Sequence, residues 1–240
     1  MRTAVFASGK EGMEESIKFG VVAACRHPQV NYKKVNYSKA PYAAEPYNTI
    51  SYCECHDNHT LWDKLTISAN DATEEERKQM HKLALAIVLT SQGISFLHAG
   101  TEFLRSKKGV ENSFESPDSI NAIDWSLKTK NKDVFEYVKG LIKMRKAHPA
   151  FHMHTAKQVA GNIVFVNTIQ QNVVAYSING AAVNDNWKKI FVIYNGSSIE
   201  QPVQLPPGKW RSFQGENKTS GTISGKRNVG PWSCDILYQH

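Results

Sequence analysis

The spacing of apolar residues divides the chain at about residue 152. Before this point, short apolar runs alternate with segments whose apolar residues recur every three or four positions. Thr49–Tyr52 and Ile94–Ala99 have the length of buried strands, and helical periods follow at Met80–Val88 and Val134–Arg145. This order predicts parallel strands joined by crossover helices, and hence an α/β barrel or an open sheet.

Local signals place the ends of the elements in this first half. Thr73 and Glu76 match a capping box at the start of a helix, and Gly93 is suited to its end. Earlier, Glu11–Ala24 has helix-like spacing, and a polar, tyrosine-rich stretch continues to Tyr47. Because long loops inside compact domains are usually functional or disordered, we expect this one to form a wall of a site.

Beyond residue 152 the pattern changes to that of strands. Asn162–Ile169 and Val173–Ile178 are β-rich runs on either side of a polar hairpin signal. We therefore expect a first domain over residues 1–152 and an antiparallel β-sandwich over residues 153–240. Further strands are predicted at Lys189–Tyr194, Val203–Leu205, Trp210–Phe213 and Asp235–Tyr238.

Composition excludes some classes of partner. The chain has 240 residues, of which 41% are hydrophobic and 21% charged, as in ordinary globular proteins. The net charge of +7 raises the possibility of nucleic-acid binding, but the basic residues form scattered pairs without interleaved aromatic residues, so we expect no nucleic-acid partner. No run approaches the roughly 18 apolar residues of a membrane span, so no membrane partner is expected. The sequence indicates no cellular compartment.

The densest chemistry follows the first predicted strand, in the segment Tyr52–Trp62. An apolar run that stops at titratable residues is typical of the carboxyl end of a barrel strand, where active sites gather. Cys53 and Cys55 would share a strand face, and with His56 they suggest a metal site. No second Cys/His pair lies at ligand spacing, which favours two small buried apolar residues instead, so we predict no metal.

Five segments resemble type I pullulanases of the α-amylase superfamily, glycoside hydrolase family 13. The first is similar to the region of the seventh barrel strand in that family, and the second to the eighth strand and its following loop. The segments are YCECHDNHTLWDKL (Tyr52–Leu65), GISFLHAGTEFLRSK (Gly93–Lys107), ENSFESPDSINAIDW (Glu111–Trp125), YVKGLIKMRKAHPAF (Tyr137–Phe151) and NYSKAPYAAEP (Asn36–Pro46).

The resemblance implies the last two βα units of a (β/α)8 barrel followed by a C-terminal β-sandwich. It implies retaining hydrolysis of α-1,6 branch points in pullulan, starch or glycogen, without a cofactor. In that family an Asp directly after a His ends strand seven, and the matching residues are Asp57 and His56. Asp57 would stabilise the transition state, and His56 would bind a sugar hydroxyl. These contacts speed the reaction if they strengthen as the sugar ring flattens.

Other residues are candidates for glucan contact. Asp118 and Asn121 follow the eighth strand, although Ser-Pro-Asp is also ordinary turn chemistry. Arg105 could line the same cleft or pair with Glu102. Trp62 could stack on a sugar ring or pack in the core. Lys107 and Lys108 are interpreted as part of a solvated loop.

The resemblance assigns neither the nucleophile nor the acid of the family to a residue of this chain. We therefore expect the isolated chain to be inactive. Two further hypotheses remain: a non-catalytic α-glucan-binding or accessory protein, and one half of a split debranching enzyme. Because two strands of a closed barrel leave an open edge, we also expect self-association or pairing with a complementary chain. That expectation includes apolar patches at Leu83, Ile87, Leu141 and Ile142.

Overall fold

The computed structural model describes residues 5–214, 217–218 and 221–240. Helices dominate the first part of the chain and strands the second. The helices are α1 (Glu14–Val21), α2 (Leu61–Ser68), α3 (Glu74–Thr90), α4 (Asp118–Asn121), α5 (Ser126–Lys130), α6 (Lys132–Ala147) and α7 (Ala156–Asn162). The strands are β1 (Ile50–Ser51), β2 (Ile94–Ser95), β3 (Ile163–Val166), β4 (Val173–Asn179), β5 (Lys189–Asn195), β6 (Gln201–Gln204), β7 (Arg211–Gln214), β8 (Asn217–Lys218), β9 (Lys226–Val229) and β10 (Ser233–Gln239).

Strands β1 and β2 are parallel neighbours, with Ile50 opposite Ile94. Helices α2 and α3 lie between them in the chain, so the predicted parallel pair with a helical crossover is confirmed. Both strands are shorter than predicted, since each contributes only two residues to the ladder. The backbone N–H of Phe96 donates to the carbonyl of Ser51 at 2.9 Å and extends the pairing by one bond.

Helix α3 begins at the predicted capping box, in which Thr73 and Glu76 bind each other's backbone N–H groups. It packs against α6, whose apolar face is also turned inward. Leu83 and Leu141, expected to lose cover, are fully buried between elements of this chain, so that expectation is wrong for both. Ile142 has 36% of its surface exposed.

A group of exposed apolar side chains lies instead on and next to the short parallel strands. Ile50, Tyr52, Ile94 and Phe96 are each between 42% and 59% exposed, and we call these four residues the open face. The rings of Tyr52 and Phe96 meet edge to face, with centroids 6.1 Å apart. Apolar strand residues are normally covered by the rest of a sheet or by helices. The described part of the chain does not supply that cover.

The second half contains a six-stranded antiparallel sheet in the order β3-β4-β5-β10-β7-β8 and a separate antiparallel pair, β6 and β9. The predicted hairpin of β3 and β4 is confirmed. Along β5, Ile190, Val192 and Tyr194 face the helices, whereas Phe191 and Ile193 pack towards the β6–β9 pair. Both faces of the central strands are therefore buried, which explains their continuous apolar runs.

Three elements of this half differ from the prediction. Helix α7 was not expected, although Thr155 and Gln158 form a capping box at its start. Strand β9 was also not predicted, because Lys226–Val229 is too polar to show an apolar alternation. Strand β8 is likewise additional and pairs with β7.

Buried polar contacts join the helical layer to the sheet. The hydroxyl of Tyr176 donates to the carbonyl of Thr90 at 3.1 Å and lies 2.9 Å from the hydroxyl of Tyr194. The latter is 2.5 Å from the Thr90 hydroxyl, so three side-chain oxygens form a continuous chain. Nearby, the Arg145 guanidinium donates to four carbonyls, and burial lowers its pKa to about 10. Those carbonyls belong to Leu89, Ser91, Gly93 and Phe151.

Candidate functional site

The candidate site is built on the loop between β1 and α2, residues 52–60, which we call the β1–α2 loop. Glu54 points into the protein, where its carboxylate accepts from the N–H of Leu61 at the start of α2. Its other oxygen is 3.7 Å from Nδ1 of His98. Burial raises the pKa of Glu54, but the His98 ring, the Leu61 N–H and the Thr101 hydroxyl outweigh burial and hold that pKa below its ordinary value. An ionised Glu54 therefore anchors the loop to the helix.

His56 and Asp57 occupy the tip of this loop and point to solvent. Their side chains are 85% and 63% exposed, and Nε2 of His56 lies 3.4 Å from Oδ1 of Asp57. The next residue, Asn58, has a positive φ of 60°, which turns the chain back towards α2. The structure thus brings together the predicted stabilising carboxylate and the predicted imidazole at the carboxyl end of β1.

Lys107 holds the same loop from inside the protein. It is only 1% exposed, and its ammonium group donates to the carbonyls of His56 at 3.1 Å, Asn58 at 2.5 Å and Glu111 at 3.2 Å. The interpretation of Lys107 as a solvated residue is therefore wrong, whereas its neighbour Lys108 is exposed. A buried ammonium needs such partners, because an unpaired buried charge is costly.

A buried carboxylate joins the two loops at this end of the sheet. Asp63 in α2 accepts from the Ser106 hydroxyl at 2.5 Å and from the N–H of Lys107 at 2.7 Å. Its own N–H donates to Thr60, the N-cap of α2. The position of the β1–α2 loop is consequently coupled to that of the loop after β2.

The loop after β2 carries three of the predicted contacts. Arg105 donates to the backbone carbonyl of Asn121 at 2.7 Å, and its other terminal nitrogen is 3.2 Å from Nε2 of His98. The amide of Asn121 donates to the Ser113 carbonyl at 2.7 Å. The structure therefore brings Arg105 and Asn121 together, with contacts that stabilise the loop. Asp118, the first residue of α4, is exposed.

Trp62 lies away from the loop tip, in the first turn of α2. Its ring meets the ring of His81 at 70°, with centroids 6.2 Å apart, and it packs against the main core. His81 is fully buried and its Nε2 is 2.8 Å from the carbonyl of Thr101. Burial lowers the pKa of His81 to about 4, so this imidazole is neutral at physiological pH. The described contacts of Trp62 are those of a packed side chain.

The two cysteines of the loop have different surroundings. Cys53 packs against the core, and burial raises the pKa of its thiol. Cys55 is half-buried, and its sulfur lies near the side chains of His56 and Asp57. The suggested grouping of Cys53 with Cys55 and His56 is thus replaced by a cluster of three consecutive residues. Both cysteines are free thiols.

Comparison with known proteins shows which proteins this chain resembles. A family model described as "Pullulanase, all-beta domain" matches residues 159–218. The pullulanase of Bacillus subtilis is 39% identical over 158 residues, which is 66% of this chain and 22% of that protein. The structure of a pullulanase from Bacillus acidopullulyticus superposes on 99% of this chain, and on 28% of its own, with a TM-score of 0.89 and 37% identity. This chain is similar to one region of these pullulanases.

A second solved pullulanase, from Paenibacillus barengoltzii, is 38% identical and superposes with a TM-score of 0.88. It was crystallised in complex with maltohexaose and α-cyclodextrin, and the match covers 99% of this chain and 35% of that one. The chain thus spans about a fifth to a third of the length of the relatives that it matches. The mixture of helices and antiparallel sheets agrees with the matched part of those structures.

Sequence reasoning missed the buried groups that hold the site. Glu54, Asp63 and Lys107 are charged residues of types that are usually exposed, and the sequence around them shows no periodicity that distinguishes inward from outward side chains. Part of the signal was present in Thr60 followed by Asp63, which matches the start of a helix. A predicted helix at Leu61 would have placed Asp63 in the first turn, close to the loop.

Among the described residues, no helix has the length and apolarity to cross a bilayer.

Proposed function

We propose that the chain is the part of a pullulanase-type hydrolase that contributes Asp57 and His56 to cleavage of α-1,6-glucosidic bonds. The observation that carries this proposal is the exposed His56–Asp57 pair, held at the carboxyl end of a parallel strand. Sites of α/β barrels lie at that end. The fold similarity to pullulanases, including one complexed with maltohexaose, supports α-glucan as the partner.

The chemistry assigns each of the two side chains a specific role. Retaining hydrolysis passes through an oxocarbenium-like transition state and uses a nucleophilic carboxylate and an acid. Asp57 acts as a further carboxylate that accepts hydrogen bonds from sugar hydroxyls, and its charge opposes the positive charge that develops on the ring. His56 donates to a neighbouring hydroxyl. Both groups accelerate the reaction only as far as these contacts are stronger in the transition state.

Support for the pair comes from the buried network behind it. Lys107 fixes the carbonyls on either side of Asp57, and Glu54 fixes the start of the loop. A loop held at several points loses little entropy on binding, so its side chains are preorganised. Exposed side chains on a fixed loop backbone are suited to positioning a substrate.

We propose Asp118 as a substrate contact, because it is exposed on the loop after β2. Substrate contact by Arg105, Asn121 and Trp62 remains a prediction. The contacts present in the structure give Arg105 and Asn121 a role in holding the loop, and Trp62 a role in packing on His81.

In this proposal, residues 1–152 are the last two βα units of a (β/α)8 barrel, and residues 153–240 are the C-terminal β-sandwich. The parallel β1–β2 pair with its crossover helices supports the first part. The packing of the six-stranded sheet on the β6–β9 pair supports the second. The open face would then meet other barrel strands, supplied by further sequence or by a complementary chain, together with the nucleophile and the acid.

A chimera tests the proposal. The region of the Bacillus subtilis pullulanase that matches this chain is replaced by the chain, and pullulan hydrolysis is measured as released reducing sugar. We expect an active chimera in which Asp57→Asn lowers kcat about 10²–10³-fold, the usual effect of losing one preorganised electrostatic contact. Asp71→Asn, the same change at an exposed aspartate in the turn before α3, should leave kcat unchanged.

Measurements on the isolated chain help to distinguish the hydrolase region from a non-catalytic glucan-binding protein. We expect no release of reducing sugar from pullulan, and weak binding of maltohexaose that perturbs the NMR signals of the β1–α2 loop. Glucan binding by a folded but inactive chimera would favour the accessory glucan-binding protein. A chimera whose activity is indifferent to Asp57→Asn would disprove the role of Asp57.

A further inference from the structure

Three potential metal ligands converge at the tip of the β1–α2 loop. The sulfur of Cys55, a ring nitrogen of His56 and a carboxylate oxygen of Asp57 all lie within 4.8 Å of one another. His56 and Asp57 are largely exposed, and Cys55 is half-buried. The three side chains therefore have room to rotate towards a common point.

The donor set is characteristic of a particular class of ion. Thiolate, imidazole and carboxylate bind Zn²⁺ at about 2.3, 2.0–2.1 and 2.0–2.2 Å, which places tetrahedral ligands roughly 3.3–3.7 Å apart. The 3.4 Å between Nε2 of His56 and Oδ1 of Asp57 already fits this range. The separations from the Cys55 sulfur are at most 4.8 Å and need to contract by no more than about 1 Å, a distance that side-chain rotation provides. Because the set includes a soft sulfur, it favours Zn²⁺ over Mg²⁺ or Ca²⁺, which prefer oxygen ligands.

We propose that Cys55, His56 and Asp57 form a binding site for Zn²⁺ or a similar transition-metal ion, with the remaining coordination positions open to solvent. The backbone beneath the site is already fixed, because Lys107 donates to the carbonyls of His56 and Asn58. The Lys107 ammonium disfavours a second cation nearby, but the dipoles of the carbonyls that accept its hydrogen bonds offset part of its field. The thiolate and the carboxylate supply two negative charges against the two positive charges of the metal.

The site has a functional consequence, which rests on the proposed function. Two of its three ligands are the side chains assigned to sugar contact, so a bound ion and a glucan compete for them. Zn²⁺ would then act as a reversible inhibitor of the complete enzyme. Metal binding itself does not depend on glucan chemistry, and it is measurable on the chain alone.

Co²⁺ is the probe for the test, because it takes Zn²⁺ sites and its bond to a thiolate absorbs in the near ultraviolet. The purified, reduced chain is treated with a chelator, dialysed and titrated with Co²⁺, and Zn²⁺ binding is then followed by calorimetry. We expect one ion per chain and a thiolate-to-cobalt band that Zn²⁺ displaces. Cys55→Ser should abolish the band, whereas His56→Gln and Asp57→Asn should each weaken Zn²⁺ binding at least about tenfold.

Two controls make the result specific. Cys53→Ala removes the neighbouring thiol that packs in the core and should keep the band, and His154→Gln removes an exposed histidine elsewhere and should keep the affinity. Circular dichroism checks that each variant is folded. The proposal is overturned by a folded chain that shows no thiolate band, or by a band that survives Cys55→Ser. If the site binds metal but Zn²⁺ does not compete with maltohexaose, the glucan role of the pair is wrong while the metal site stands.

Discussion

Replacing Lys107 by methionine tests whether a buried ammonium holds the candidate site. The substitution keeps most of the side-chain length but leaves the carbonyls of His56, Asn58 and Glu111 without their donor. Each buried acceptor left unpaired costs about 1–3 kcal/mol. Part of this cost is offset, because the variant no longer buries a charge, which itself costs several kcal/mol, and because water can reach a loosened loop. We expect a net loss of about 2–3 kcal/mol, confined largely to the β1–α2 loop.

Native-state hydrogen exchange measures that loss locally. Since 1.4 kcal/mol corresponds to a factor of ten, the amides of residues 55–61 should exchange about 30- to 140-fold faster in Lys107→Met. Lys108→Met is the matched control, because the adjacent lysine is exposed. The amides within α3 should be unchanged in both variants. Equal exchange rates over residues 55–61 in the two variants would show that the three bonds of Lys107 do not hold the loop.

Three further predictions concern stability and association. Burial lowers the pKa of His81 to about 4, so the unfolded chain takes up the proton at a higher pH than the folded one. The free energy of unfolding should therefore fall by up to about 3 kcal/mol as the pH drops from 6.5 to 4. Urea titrations measure this dependence, and His81→Asn should remove it. Arg145→Met should destabilise the chain by about 3 kcal/mol or more in the same assay, whereas exposed Lys146→Met should have little effect. Sedimentation should show concentration-dependent self-association that Ile50→Lys and Ile94→Lys reduce; a strictly monomeric wild type would contradict this.

Elements whose local and tertiary signals agree were predictable from the sequence. For helix α3 the sequence shows a capping box at Thr73 and an apolar face, and both are present in the structure. The parallel relation of β1 and β2 followed from the alternation of strand and helix. Strand lengths did not follow, because only two residues of Ile94–Ala99 pair in a ladder, and pairing depends on neighbouring strands that the local sequence does not encode.

The candidate site was predictable in its exposed part and not in its support. His56 and Asp57 were identified from the resemblance of Tyr52–Leu65 to pullulanases, and the structure places them side by side. Lys107 was misinterpreted because lysine is almost always solvated, and only the fold shows the three carbonyls that surround it. The burial of Leu83 was also unexpected, since its cover comes from segments distant in the sequence.

The chain of hydroxyls from Tyr176 through Tyr194 to Thr90 limits where this protein can be divided. A cut between residues 152 and 153 would separate both tyrosines from the Thr90 groups, and Arg145 from parts of its own surroundings in the sheet. The separated sheet would expose an apolar face in which the hydroxyls of Tyr176 and Tyr194 lack their hydrogen bonds to Thr90. In recombination among enzymes, the β-sheet is therefore expected to be exchanged together with α3 and α6. The exchanged block then includes helices from the first half of the chain as well as the sheet.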